Sequence, residues 1–161
     1  DKEEKIQVRL KVECTVNHDN EITKESWSNT QHISRKCYLV DNRGRQNGVH
    51  IITIDEVYET GLDAIMHKAR KIVGESPTYV SFDIDAIDPS YAPGTGTPEI
   101  GGFTSYEAQR IVRKLAGLNL IGADLVEVSP PFDPTGGTGW VGVSIMFELL
   151  CVLATATEKA A

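Results

Sequence analysis

Histidine is scarce in this 161-residue chain: His18, His32, His50 and His67 are all it has. None stands in a run of alternating carboxylates and imidazoles; His18-Asp19 in VNHDN comes nearest and lacks flanking ligands. His67, in DAIMHKARK, reads as a surface or partly packed helix residue, and His50 as a structural residue at the start of a strand. Cysteine is sparse too. Cys14, Cys37 and Cys151 are odd in number and widely spaced, which excludes a disulfide framework or a paired-thiolate metal site. That pattern suits a reducing compartment, with Cys151 expected as a buried free thiol in an apolar helix. No segment reads as long enough to span a membrane, since Ile145–Leu153 is short and carries Glu148. No signal or transit segment opens the sequence as given, at Asp1. Positive charge is in deficit, 16 Lys and Arg against 23 Asp and Glu, and the net −7 argues against nucleic acid or an anionic membrane as partner. Hydrophobic residues at 40% and aromatics at 7% are ordinary for a globular chain, and the length suffices for one core.

What is present is concentrated in residues 81–102, SFDIDAIDPSYAPGTGTPEIGG. The run Thr78–Ile84 is apolar and β-forming and delivers Asp83 and Asp85 two residues apart. In a strand, residues at that spacing share a face, so both carboxylates are expected to project together at its carboxyl end. Open α/β sheets place their sites there. Two like charges on an apolar strand are costly unless a cation neutralises them, and a divalent ion is the simplest candidate. A bare Asp-x-Asp also fits a turn cap, an aspartyl-phosphatase nucleophile or a metal-dependent nucleotide-sugar transferase. The second usually wants a Thr where Ile87 stands, and no donor-binding half supports the third. The GTGTPEIGG loop lacks the Lys-Ser/Thr of a phosphate-binding loop and places Pro98 and Glu99 where permissive backbone is needed.

Around this block the sequence alternates strand and helix patterns, which points to βαβ crossovers. Ile6, Val8, Leu10 and Val12 alternate as a strand would, and a polar Asn- and Ser-rich stretch runs from Asn17 to Ser34. Lys36–Val40 reads as a short strand and Asp41–Gly48 as a loop. Val49–Ile54 reads as a buried strand, and Asp55 as the cap of a helix over Val57–Val73 that buries Leu62, Ile65, Met66, Ala69 and Ile72. Thr104 or Ser105 caps a helix to Leu115 with Ala108, Ile111, Val112 and Leu115 inward. A strand Leu120–Val128 carries Glu127 at its end, level with Asp83 and Asp85. Gly136–Leu153 forms the last helix. An unpaired Glu127 on so apolar a strand would be expensive, so a cationic or guanidinium partner is expected for it.

The string Ser-Phe-Asp-Ile-Asp, with Asp88-Pro89, Ala92-Pro93-Gly94, Gly96-Thr97-Pro98 and Gly101-Gly102, resembles the signature of the ureohydrolase family, which includes arginase and agmatinase. The resemblance continues through GLNLIGADLVEVSPPFD, residues 117–133, where it is closer to agmatinase. It implies an α/β fold, a three-layer α/β/α sandwich around a mainly parallel sheet of the arginase/deacetylase kind, here incomplete. It implies hydrolysis of a guanidino C–N bond with release of urea by two Mn²⁺ ions bridged by hydroxide, agmatine to putrescine in the agmatinase case. Carried over by position, Asp83 and Asp85 are metal ligands, and Glu127 and Thr97 face the substrate. Hard oxygen ligands suit Mn²⁺.

The departure is as specific as the match. The family takes its other four ligands from a His in a Gly-Gly-Asp-His segment and from Asp-x-His-x-Asp, and a further histidine shuttles protons. Neither motif occurs here, so two of six ligands are present and no catalytic residue is identified. The chain divides into a poorly matched segment 1–35, the carboxyl-terminal half of a ureohydrolase domain over 36–156, and a tail 157–161. The expected partner is a small guanidino substrate, agmatine ahead of arginine with 4-guanidinobutyrate and other guanidino acids close behind, with homo-oligomerisation of the complete domain, no nucleic acid and no membrane, in the cytoplasm or mitochondrion. Inactivity of the chain alone is the expectation. The alternative is a non-catalytic truncated relative serving as a structural or regulatory subunit. A deacetylase of the related superfold is remote, because its metal strand lacks this Pro-Gly-Thr-Gly-Thr-Pro loop.

Overall fold

The computed structural model describes residues 6–10, 30–34 and 50–160. Five strands, β1 (Ile6–Leu10), β2 (Thr30–Ser34), β3 (Ile51–Thr53), β4 (Thr78–Asp83) and β5 (Leu120–Val126), form one parallel sheet in the order β3-β2-β1-β4-β5. The alternating segment near the start of the chain is its middle strand: β1 pairs Ile6 with Thr78 through Leu10 with Phe82, beside the strand that ends at Asp83. Thr30–Ser34 lies inside the stretch that reads as polar connection, yet it pairs with both β1 and β3. Parallel ladders bond main chain to main chain, so a strand held on both edges needs little apolar periodicity. The expected strand Lys36–Val40 and loop Asp41–Gly48 lie outside the described residues.

Among the described residues four α-helices follow from local signals: α1 (Ile54–Thr60), α2 (Leu62–Val73), α3 (Ser105–Arg113) and α4 (Gly137–Ala160). The single helix expected over Val57–Val73 is divided. Thr53, not Asp55, is the first cap, its hydroxyl accepting from the Glu56 N–H at 3.1 Å. Asp55 and Glu56 fall in the first turn, where the helix dipole favours acids. The division comes at Gly61, whose φ of 92° closes α1 and opens α2 in a conformation that side-chain-bearing residues avoid. Thr104 caps α3 in a reciprocal box with Glu107.

The three longer helices lie side by side. Asp63 of α2 pairs with Arg110 and Lys114 at 2.7 and 2.8 Å, and Arg70 donates to the carbonyls of Lys114 and Ala116. Gln109 of α3 donates to Ser144 of α4 at 2.7 Å. Gly142 of α4 lies against Leu125, the β5 partner of Phe82, so this layer covers the Val80–Phe82 face. The described residues thus supply the sheet and one helical layer of the expected sandwich. Ile65, Val80, Phe82, Ile111, Ile145 and Leu149 are essentially fully buried between them. Each such side chain contributes about 1.5–3 kcal/mol of burial.

Two expectations about α4 need correction. Gly137–Ala156 is long and apolar enough to cross a membrane by length and composition, although no segment reads so from the sequence. Small residues between the large ones extend the apolar run well before Ile145. One face, Ile145, Leu149 and Val152, is buried in the core, whereas Trp140, Val143, Phe147 and Leu150 are exposed. Cys151 is exposed rather than buried. It follows the buried Leu149 by two residues, about 200° around the helix.

Phe82→Ala is expected to cost about 3–5 kcal/mol through the cavity it leaves, read as a lower urea midpoint. Arg110→Ala, which cuts an exposed ion pair, should shift the same midpoint by less than about 1 kcal/mol.

Candidate active site

Asp83 closes β4 and is fully buried. Asp85 does not share its strand. Backbone leaves the extended state at Ile84 and makes a 3₁₀ turn over Ile84–Ala86, so the two carboxylates are neighbours through a cap and not through the pleat. Asp83 Oδ1 accepts from the Asp85 N–H at 3.1 Å. Asp85 itself is 1% exposed. Its Oδ1 accepts from the Thr95 hydroxyl and its Oδ2 from the Thr97 hydroxyl, and among the described residues no cation reaches its carboxylate. Among the described residues that buried carboxylate has neutral donors alone, which compensate an anion incompletely.

The loop that carries the two threonines is closed at its neck. Ile87 bridges Phe103, the Asp88 N–H donates to Phe103 at 2.9 Å and the Phe103 N–H donates to Ala86 at 2.8 Å. Asp88 also accepts from the Ser90 and Gly101 N–H groups at 2.8 and 2.6 Å. Farther along, the loop is stitched to the β5–α4 connection at Gly94. Its N–H donates to Thr138 Oγ1 at 2.8 Å, and its carbonyl accepts from the Ser129 N–H at 2.7 Å. A Cβ on Gly94 would lie 2.8 Å from Asp133 Cβ and 2.9 Å from Thr138 Oγ1, so only glycine permits this approach.

Asp133, buried beside that contact, organises the start of α4. It accepts from the Thr135 hydroxyl at 2.5 Å, the Thr138 N–H at 2.6 Å and the Thr135 N–H at 3.1 Å. These bonds, the Thr135 hydroxyl foremost, lower its pKa from an ordinary 3.8 to about 2. Neither Thr95 nor Thr138 is singled out by the sequence reading. A hydroxyl ten residues past Asp85 and another at a helix start leave no pattern that marks them.

Glu127 stands one residue past the end of β5, whose Val126 pairs with Asp83. It is exposed, so the burial argument for a partner does not apply to it. Its φ of 65° makes it the one non-glycine residue with positive φ among those described. A left-handed glutamate is held against its preference, a condition that clusters at functional sites. Thr97 is exposed and reaches Asp85, whereas His50, just before β3, and His67, on α2, are exposed. Asp124, within the 117–133 block but with no role marked by its pattern, accepts from the Tyr79 hydroxyl at 3.0 Å, which raises the tyrosine's pKa.

Asp83 and Asp85 carry hard carboxylate oxygens, and an Asp85 that no cation reaches among the described residues fits a divalent cation at that point. They would make one side of such a site. Among the described residues no group of three or more His, Cys, Asp or Glu comes together to hold an ion.

With this geometry in view, the comparisons are specific. The model of the arginase family matches residues 28–152. The chain is 55% identical over 121 residues to guanidinopropionase of Pseudomonas aeruginosa, covering 75% of this chain and 38% of that protein. It is 47% identical over 106 residues to mitochondrial agmatinase of Gallus gallus, covering 66% of this chain and 31% of that one. Among solved structures, proclavaminate amidino hydrolase from Streptomyces clavuligerus superposes with a TM-score of 0.74 at 38% identity, over 80% of this chain and 44% of that chain. The chain therefore spans well under half the length of the curated relatives it matches.

The Asp133 carboxylate sits below its ordinary range in the fold, so its contribution to stability is present above about pH 4 and is lost as pH falls toward 2. The difference in urea midpoint between wild type and Asp133→Asn should shrink across that window. Gly94→Ala should lower the midpoint at every pH, because the added methyl meets Asp133 and Thr138.

Proposed function

The chain belongs to the arginase family, and on that premise we propose that it carries the carboxylate half of a Mn²⁺-dependent ureohydrolase site acting on a linear guanidino compound. The observation that carries this reading is Asp85, buried at the carboxyl end of the sheet with two hydroxyl donors and no cation on its carboxylate among the described residues. Asp83 and Asp85 would hold the metal, which when bound supplies an activated water near neutral pH. Glu127, exposed just beyond the strand pair that ends at Asp83, would accept the planar guanidinium through charge-assisted hydrogen bonds. Thr97 would line the same pocket from the loop. Ligands beyond these two aspartates are needed for a binuclear centre, and in the complete domain they would come from elsewhere.

Within that reading, identity favours an ω-guanidino acid as substrate, since guanidinopropionase at 55% exceeds agmatinase at 47%. Agmatine is the second reading, supported by the agmatinase-like LVEVSPPFD block and by the agmatinase relative. The two differ only in the tail, a carboxylate against an ammonium. An intracellular setting and a homo-oligomer of the complete domain go with either.

The test grafts residues 50–161 into the guanidinopropionase in place of the matching segment and follows urea release from 3-guanidinopropionate, 4-guanidinobutyrate, agmatine and arginine. The graft should turn over a guanidino acid fastest. Asp85→Ala should abolish turnover, and Glu127→Ala should cost about 2–5 kcal/mol in kcat/KM. Preference for arginine, or an unaffected Glu127→Ala, would sink the assignment. The 161-residue chain alone should bind Mn²⁺ weakly, because affinity follows ligand count and preorganisation, and should release no urea from any of the four.

A further inference from the structure

We propose that Thr138, at the start of α4, is a positioning residue for the metal-ligand carboxylate Asp85. Its own hydrogen bonds go to Gly94 and Asp133 and reach Asp85 only through the loop. The Thr138 hydroxyl, in a residue 2% exposed, accepts the Gly94 N–H at 2.8 Å, while the Ser129 N–H holds the Gly94 carbonyl at 2.7 Å. The loop is thereby pinned on both sides at one residue. Thr95, 3% exposed, follows at once, and Thr97 two residues later. Their hydroxyls take one oxygen each of the Asp85 carboxylate and so fix the plane in which it presents its remaining lone pairs. Asp133 completes the line by accepting the Thr138 N–H at 2.6 Å, which fixes Thr138 itself. Helix start, loop and carboxylate form one hydrogen-bonded chain, and the close approach at Gly94 leaves it no slack.

Partners that orient a ligating carboxylate commonly alter metal affinity by about 10–100-fold when removed. The proposal rests on the reading of Asp85 as a metal ligand. Thr138→Val keeps the shape of the side chain and deletes the acceptor for Gly94.

The experiment uses the 161-residue chain and three measurements: amide hydrogen exchange at Gly94 and Thr95, the carboxyl ¹³C shift of Asp85, and Mn²⁺ affinity from paramagnetic line broadening. In Thr138→Val, exchange at Gly94 should be about tenfold faster, the Asp85 shift should move, and Mn²⁺ affinity should fall about tenfold. Thr138→Ser keeps the hydroxyl and should restore all three. Val73→Ala, which opens a cavity near the amino end of β4, the end of that strand opposite Asp83, serves as the control for general destabilisation and should leave the Asp85 shift and Mn²⁺ affinity unchanged. A Thr138→Val chain that resembles Val73→Ala, less stable but unaltered at Asp85, overturns the proposal. If Thr138→Val does not fold, Thr95→Val decides: an unchanged Asp85 shift there overturns it as well. Mn²⁺ that binds wild type and Asp85→Asn equally defeats the metal reading alone, and the exchange and ¹³C measurements still decide the positioning.

Discussion

Two carboxylates buried within three residues of each other at the end of an apolar strand are the constraint on which the rest of this structure depends. Ionised groups leave water only at a cost, which opposite charge or hydrogen bonds must offset. Here Asp83 caps the turn that contains Asp85, and two threonine hydroxyls cover the Asp85 oxygens. Those hydroxyls sit on a loop rich in proline and glycine, which could not hold a fixed position by itself. It is held from outside: at its neck by Asp88 and Phe103, and at Gly94 by the connection between β5 and α4. A local electrostatic demand is thus met by long-range contacts.

The parallel sheet makes this arrangement geometrically natural. Parallel strands end on the same side, so the residues following β4 and β5 emerge together, and the Asp83–Val126 pairing brings Glu127 to the same edge. The helical layer supplies the stability. Its ion pairs among α2, α3 and α4 are largely exposed and worth little each, whereas the buried aliphatic and aromatic groups of β4, α3 and α4 do most of the stabilising. The site needs a firm platform because Glu127 is kept in a left-handed conformation and Gly94 in contact closer than any side chain allows.

Much of the fold is legible in the sequence. Strands expected over Thr78–Ile84 and Leu120–Val128 form over Thr78–Asp83 and Leu120–Val126, and of the two caps that Thr104 and Ser105 offer, Thr104 serves, with Ala108, Ile111 and Val112 buried as their spacing requires. Errors fell where local pattern competes with context. Thr53 and Asp55 are both good caps, and only the position of Gly61 shows that a short helix starts at the former. Thr30–Ser34 has too few apolar residues to announce a strand, and becomes one because β1 and β3 pair with it from either side. Apolar neighbours point Cys151 toward the core, but its angle on α4 turns it outward.

For the site, the sequence by itself determined the family, carried by two dense blocks that contain Asp83, Asp85, Thr97 and Glu127. It also determined that histidine is scarce in these 161 residues. Tertiary structure decided how the carboxylates are presented: a 3₁₀ turn in place of a continued strand, an exposed Glu127 in place of a buried one, and an Asp85 clasped by two hydroxyls. The contribution of Thr95, Thr138 and Asp133 belongs wholly to that level. Forty-four residues separate Gly94 from Thr138, and no periodicity or motif reports on a hydrogen bond formed only when a loop and a helix start are folded against each other.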